Sequence, residues 1–140
     1  MLPVAKPILT LLCLVLCTVA VAACGTTAST SAFKGEQHEV AETVANLQSD
    51  ATAAEQKKIC ANDVAAAVVS RLGGTKGCEA AFKKQLPEVD TLEVTVQSVQ
   101  IGAGGSTATA HVQSIYAGKK RTTTVSLVKE GKDWKLSAIG

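Results

Sequence analysis

The stretch TLEVTVQSVQIGAGGSTATAHVQSIY, Thr91 to Tyr116, decides the fold. Leu92, Val94 and Val96 alternate with polar residues, the period of a strand with one buried face. Val99 and Ile101 continue the alternation one residue out of phase. A single-residue slip would turn every later side chain to the wrong face, so the spacing predicts a β-bulge near Gln97-Ser98 that bends the strand. GAGGS then turns the chain. Ala108, Ala110, Val112 and Tyr116 form the next apolar face, with Thr107, Thr109, His111 and Gln113 opposite.

The alternation continues to the end of the chain. AGKK is a hairpin turn, and RTTTVSLVKE follows with Thr123, Val125 and Leu127 in phase. GKD turns again, and WKLSAIG closes with Trp134, Leu136 and Ala138 in phase. Four consecutive strands with short turns make an antiparallel meander.

Upstream the period is helical. Val40, Val44, Leu47, Ala51 and Ala54 recur at steps of three and four from Glu36 onward. A second helix is expected to open at Asn62-Asp63, both good capping residues, with Val64, Val68 and Leu72 on one face and Gly73-Gly74 as its stop. A third runs through CEAAFKKQL from about Cys78 to Pro87. Helices first and strands afterwards make an α+β domain, two or three helices on a four-stranded antiparallel sheet.

The amino-terminal segment is of another kind. Ile8 to Ala23, ILTLLCLVLCTVAVAA, has no charge and falls short of the roughly 20 residues that span a bilayer. Lys6 precedes it and small residues follow, the layout of a secretory signal. It ends in Val21-Ala22-Ala23-Cys24, which resembles the bacterial lipobox. That resemblance implies cleavage before Cys24 and a diacylglyceryl group on its thiol. Two acyl chains hold a protein stably on a membrane, here the outer face of the bacterial cell membrane. The organisation expected is a signal at 1–23, lipidated Cys24 and a Gly/Ser/Thr tether at 24–35, and one domain at 36–140.

The five cysteines then sort themselves. Cys13 and Cys17 leave with the signal and Cys24 takes lipid. Cys60 and Cys78 remain, an even pair in an oxidising compartment, and are expected to form a disulfide. No C-x-x-C or H-x-x-x-H spacing points to a metal, and no cofactor motif is present. Without the signal the chain has 13 basic and 12 acidic side chains, which is no footprint for nucleic acid. The Lys119-Lys120-Arg121 cluster is either a contact for anionic headgroups or a charged hairpin tip.

The paired-cysteine helices, VTVQSVQIGAGGSTATAHV and TTTVSLVKEGKDWKLSAI together resemble small secreted lipoproteins of actinobacteria. Their domain belongs to the nuclear transport factor 2-like superfamily. The resemblance implies a cone, a curved sheet wrapped round helices, related to the cystatin-like shape. That superfamily includes isomerases and cyclases as well as binding domains. The function expected is a membrane-anchored, non-enzymatic binding domain for a small apolar ligand or a cell-envelope protein. An enzyme using His111 or Tyr116 as proton carrier is the alternative, as is a purely structural envelope protein. Asp50, Asp63, Asp90 and Asp133 read as caps, turns or polar faces, so no catalytic set assembles from the sequence.

Overall fold

The computed structural model describes residues 29–86 and 92–140. The signal at 1–23, Cys24 and the helix terminator Pro87 lie outside them. Among the described residues four α-helices and one π-helical turn precede a four-stranded sheet: α1 (Glu36–Thr52), α2 (Gln56–Lys58), the π turn (Ile59–Asp63), α3 (Ala66–Arg71), α4 (Gly74–Gln85), then β1 (Glu93–Ile101), β2 (Thr107–Tyr116), β3 (Lys119–Glu130) and β4 (Asp133–Ile139). The strands pair in chain order as an antiparallel meander. The fold is α+β.

The bulge falls where the phase slip puts it. Val96 pairs with Val112 and Ser98 with His111, which leaves Gln97 as the extra residue. Val96, Val99, Ala108, Ala110, Val112, Val125 and Leu127 therefore share one buried face. A second irregularity was not foreseen. Leu136 pairs with Leu127 but Ala138 with Ser126, so Ser137 is skipped. Ala138 consequently leaves the core phase and is exposed, unlike Trp134 and Leu136.

Helix α1 packs across the apolar face through Val40, Ala41, Val44 and Ala51. Glu36 and Glu39 in its first turn favour the positive end of the helix dipole. Two glutamines fasten it. Gln37 Nε2 donates to Val99 O and Gln48 Nε2 to Leu92 O, both at 2.9 Å. They are eleven residues apart, three helical turns, and so share a face. A carbonyl of the edge strand β1 and one just before it thereby gain donors. Phe33, just before α1, packs partly against the same core.

The helices between α1 and the sheet differ from expectation. Asn62 and Asp63 cap nothing. They belong to a π-helical turn, Ile59–Asp63, that continues α2 and ends with Val64 N–H bonded to Ile59 O. Val64 is extended and bridges Leu136 in parallel, while Ala65 N–H donates to Leu136 O at 2.9 Å. This short segment covers the free edge of β4. Helix α3 starts only at Ala66, whose N–H is satisfied by Glu130 Oε1 at 2.9 Å. A carboxylate 64 residues away does the capping. Ala66 and Ala67 are exposed, and Leu72 is largely so, so the face expected for the second helix shifts to Val64, Ala65, Val68 and Val69.

Cys60 and Cys78 are joined in a disulfide with Cα atoms 6.0 Å apart. It ties the π turn, not a helix start, to the second turn of α4. That helix begins at Gly74 rather than near Cys78.

Two positions carry unusual backbone demands. Helix α1 ends in a Schellman arrangement, Glu55 N–H to Asp50 O and Ala54 N–H to Ala51 O, with Ala54 at φ 54°. That left-handed position suits glycine. Gly77 inside α4 is the reverse case, because a Cβ there would lie 1.8 Å from Leu72 O. Ala54→Gly is expected to raise stability by up to about 1 kcal/mol. Gly77→Ala is expected to lower stability although alanine is the better helix former by about 1 kcal/mol. Urea midpoints measure both, and a stabilising Gly77→Ala would contradict the close approach of α3 to α4.

Candidate polar groove beside Asp63 and Trp134

The polar side of α1 does not face open water along its whole length. Glu39, Glu42, Thr43 and Asn46 form one wall of a groove of about 450 Å³. Asn62 and Asp63 of the π turn form the other wall. The β3–β4 hairpin closes one end with Lys132, Asp133, Trp134 and Lys135. Three local choices build it: the helical 3–4 spacing of the α1 residues, the wide π turn and the two-residue Gly131-Lys132 turn.

Asp63 is the unusual group. The residue is 5% exposed, and among the described residues no donor reaches its buried Oδ2, although the Asp50 carboxyl hydrogen-bonds to its carboxyl. Its carboxyl is pushed up to about 7, first by burial, then by the charge and hydrogen bond of Asp50. Lys135 and Lys58 act in the opposite direction and do not prevail. Lys135 Nζ also donates to the carbonyl of Asn62, which pins the π turn to β4.

Trp134 is 3% exposed, and its indole N–H is buried without a partner among the described residues. Its carbonyl accepts from the Thr43 hydroxyl at 3.4 Å. Lys129 Nζ lies 5.5 Å from the ring centroid and 2.5 Å from Glu36 Oε1. The hydrogen bond to Glu36 raises the Lys129 ammonium above the usual lysine value. Aromatic ring, cation and carboxylate thus join the hairpin to the start of α1. Buried polar atoms normally find partners, so an orphan indole N–H and an Asp63 oxygen that no donor reaches single this groove out.

The sequence-derived candidates lie elsewhere. His111 is exposed on the sheet face opposite α1, with Nδ1 3.3 Å from Thr124 Oγ1. Tyr116 is 39% exposed beside the Ala117-Gly118 turn. The geometry required of His111 as proton carrier, inside the cone against a carboxylate, is not met. Asp63 was read as a cap, and local spacing holds no sign of a π turn. In the sequence Trp134 reads only as an apolar member of its strand, although a buried indole N–H usually finds an acceptor. Lys119-Lys120-Arg121 lie at the hairpin tip, ten residues of β3 from Lys129 and Glu36, roughly 33 Å at strand spacing. The tip is therefore remote from where the chain enters α1. Among the described residues no three His, Cys, Asp or Glu side chains converge to hold a metal, and no helix is long and apolar enough to cross a membrane.

No family model and no curated protein matches the chain. Among solved structures the chain is similar to a de novo designed protein with a curved β-sheet, at 14% identity and a TM-score of 0.39. The match covers 47% of this chain and 61% of that one.

The raised Asp63 carboxyl has a consequence for stability. Its proton is held more tightly in the fold than the ordinary value of 3.8 implies. This favours the folded state below about pH 4 and is lost as pH rises through about 7. The gap in Tm between Asp63→Asn and the parent is expected to widen from about pH 4 to about pH 7 and then level. A gap independent of pH would show that Asp63 is ionised throughout.

Proposed function

We propose that this chain is exported and anchored by acylated Cys24 to the outer face of the bacterial cell membrane. Its 36–140 domain then acts as a non-enzymatic binding domain for a cell-envelope protein partner. The bulged meander with helices ahead of it supports placing the domain with the nuclear transport factor 2-like cones of small actinobacterial lipoproteins. The Val21-Ala22-Ala23-Cys24 spacing after an apolar segment supports the anchor.

One observation carries the binding reading: Trp134 places an unpartnered buried N–H, and Asp63 a buried oxygen that no donor reaches, beside the same groove. Such atoms cost about 1–3 kcal/mol each when left unsatisfied, and a bound partner relieves that cost. A protein partner fits better than a small apolar ligand. Carboxylates, amides and lysines line the groove, and Val40, Ala41 and Val44 fill the space between α1 and the sheet. The enzyme alternative loses its main support with His111 in solvent.

The intact mass of the native protein tests the anchor. Expected are loss of residues 1–23, an added diacylglyceryl group on Cys24 and two hydrogens missing at Cys60 and Cys78. An unmodified Cys24 thiol would remove the anchoring. Thermal unfolding in cell-envelope fractions tests the binding half, where a partner raises Tm by mass action. No shift in any fraction would count against it.

A further inference from the structure

We infer that the groove between α1, the π turn and the β3–β4 hairpin takes a basic peptide segment. An ammonium or guanidinium pairs with Glu39 and Glu42 of the α1 wall, and a neighbouring main-chain carbonyl accepts from the indole N–H of Trp134. This deepens the binding-domain reading and rests on it.

Charge and shape favour this class. Glu39 and Glu42 lie on one polar stripe of α1, and Asp50 continues it a turn beyond Asn46. Asp63 faces this stripe and Asp133 stands at the hairpin end. Of the lysines there, Lys135 already donates to Asn62 O. Glu42 Oε1 is also 3.2 Å from His38 Nε2, at the outer edge of the stripe. Glu39 to Asp50 spans eleven residues, about 16 Å of helix, which suits an extended chain rather than a point ion. That agrees with the absence of a converging metal-ligand set among the described residues.

Trp134 adds an independent requirement. Its unpartnered N–H is a donor, so the ligand must bring an acceptor as well as a cation. A simple amine brings no acceptor, whereas a peptide carries a carbonyl within a few bonds of every basic side chain. Asp63 and Trp134 both line the groove and both are buried. The long side chains of Glu39, Glu42 and Lys132 are exposed and swing aside to admit the ligand.

Trp134 is the sole tryptophan of the chain, so its fluorescence reports on the groove alone. The full chain in mild detergent is titrated with acetyl-Gly-Lys-Gly-Lys-Gly-amide and with the same peptide carrying norleucine for lysine. Saturable change with the lysine peptide is expected, weakened by salt. The norleucine peptide should bind about tenfold or more weakly, as should the lysine peptide to the E39Q/E42Q variant. Circular dichroism checks that this surface variant folds. Equal binding of both peptides, or none of either, overturns the inference. If neither peptide binds but an envelope fraction still perturbs Trp134, the ligand class is wrong and the binding-domain reading stands. Silence from peptides and fractions alike removes both.

Discussion

The seating of α1 on the sheet is the constraint on which the rest depends. Val40, Ala41 and Val44 share one core with Val96, Val99, Ala110 and Leu127, and apart from Trp134 its buried side chains are aliphatic. Small aliphatic groups bury little area each, at roughly 25 cal/mol per Å². Position must therefore be fixed by something more directional. Gln37 and Gln48 supply it by bonding the carbonyl of Val99 in β1 and that of Leu92 just before the strand. Gln48 is buried, and a buried amide that misses its carbonyl leaves a costly polar orphan, so its bond penalises a shift of the helix along the sheet. The bulge at Gln97 is part of the same constraint, because it keeps Val96 and Val99 both under α1.

Once α1 is placed, its opposite stripe becomes the wall of a site. Glu39, Asn46 and Asp50 look like an ordinary solvated helix face until the π turn is brought alongside. That turn is held from two sides, by the disulfide to α4 and by the bridge of Val64 to Leu136. Asp63 is buried because of this double fastening. Its environment follows from tertiary placement, with a second carboxylate near and two lysines too weakly placed to balance the burial.

Much of the scaffold was legible in the sequence and little of the site was. The meander, the phase slip at Gln97 and the extent of α1 all follow from period, which is a local property. The pairing of Cys60 with Cys78 followed from counting. By contrast, the cap of α3 comes from Glu130, and the lining of the groove joins residues from α1, the π turn and β4. No window of a dozen residues contains such relations. Asp63 illustrates the failure well: Asn-Asp before an alanine-rich helix reads as a cap, yet the helix gets its cap elsewhere and the aspartate turns inward. The skipped Ser137 fails for another reason, since Trp134, Leu136 and Ala138 keep perfect alternation and only the pairing with β3 reveals the irregularity.

The bridge between Val64 and Leu136 also bears on the order of events in folding. Each strand pair joins chain neighbours, and the disulfide closes a separation of only 18 residues. Such local closures cost little loop entropy and form early. Val64 and Leu136 are 72 residues apart, and α1 meets β4 across a still longer interval. These are the slow contacts, and they are the ones that bring the walls of the groove together. Hairpins and the cross-linked helical segment can exist before any groove does. The binding surface is therefore a late product of folding, and its presence marks the point at which α1, the π turn and β4 have come together.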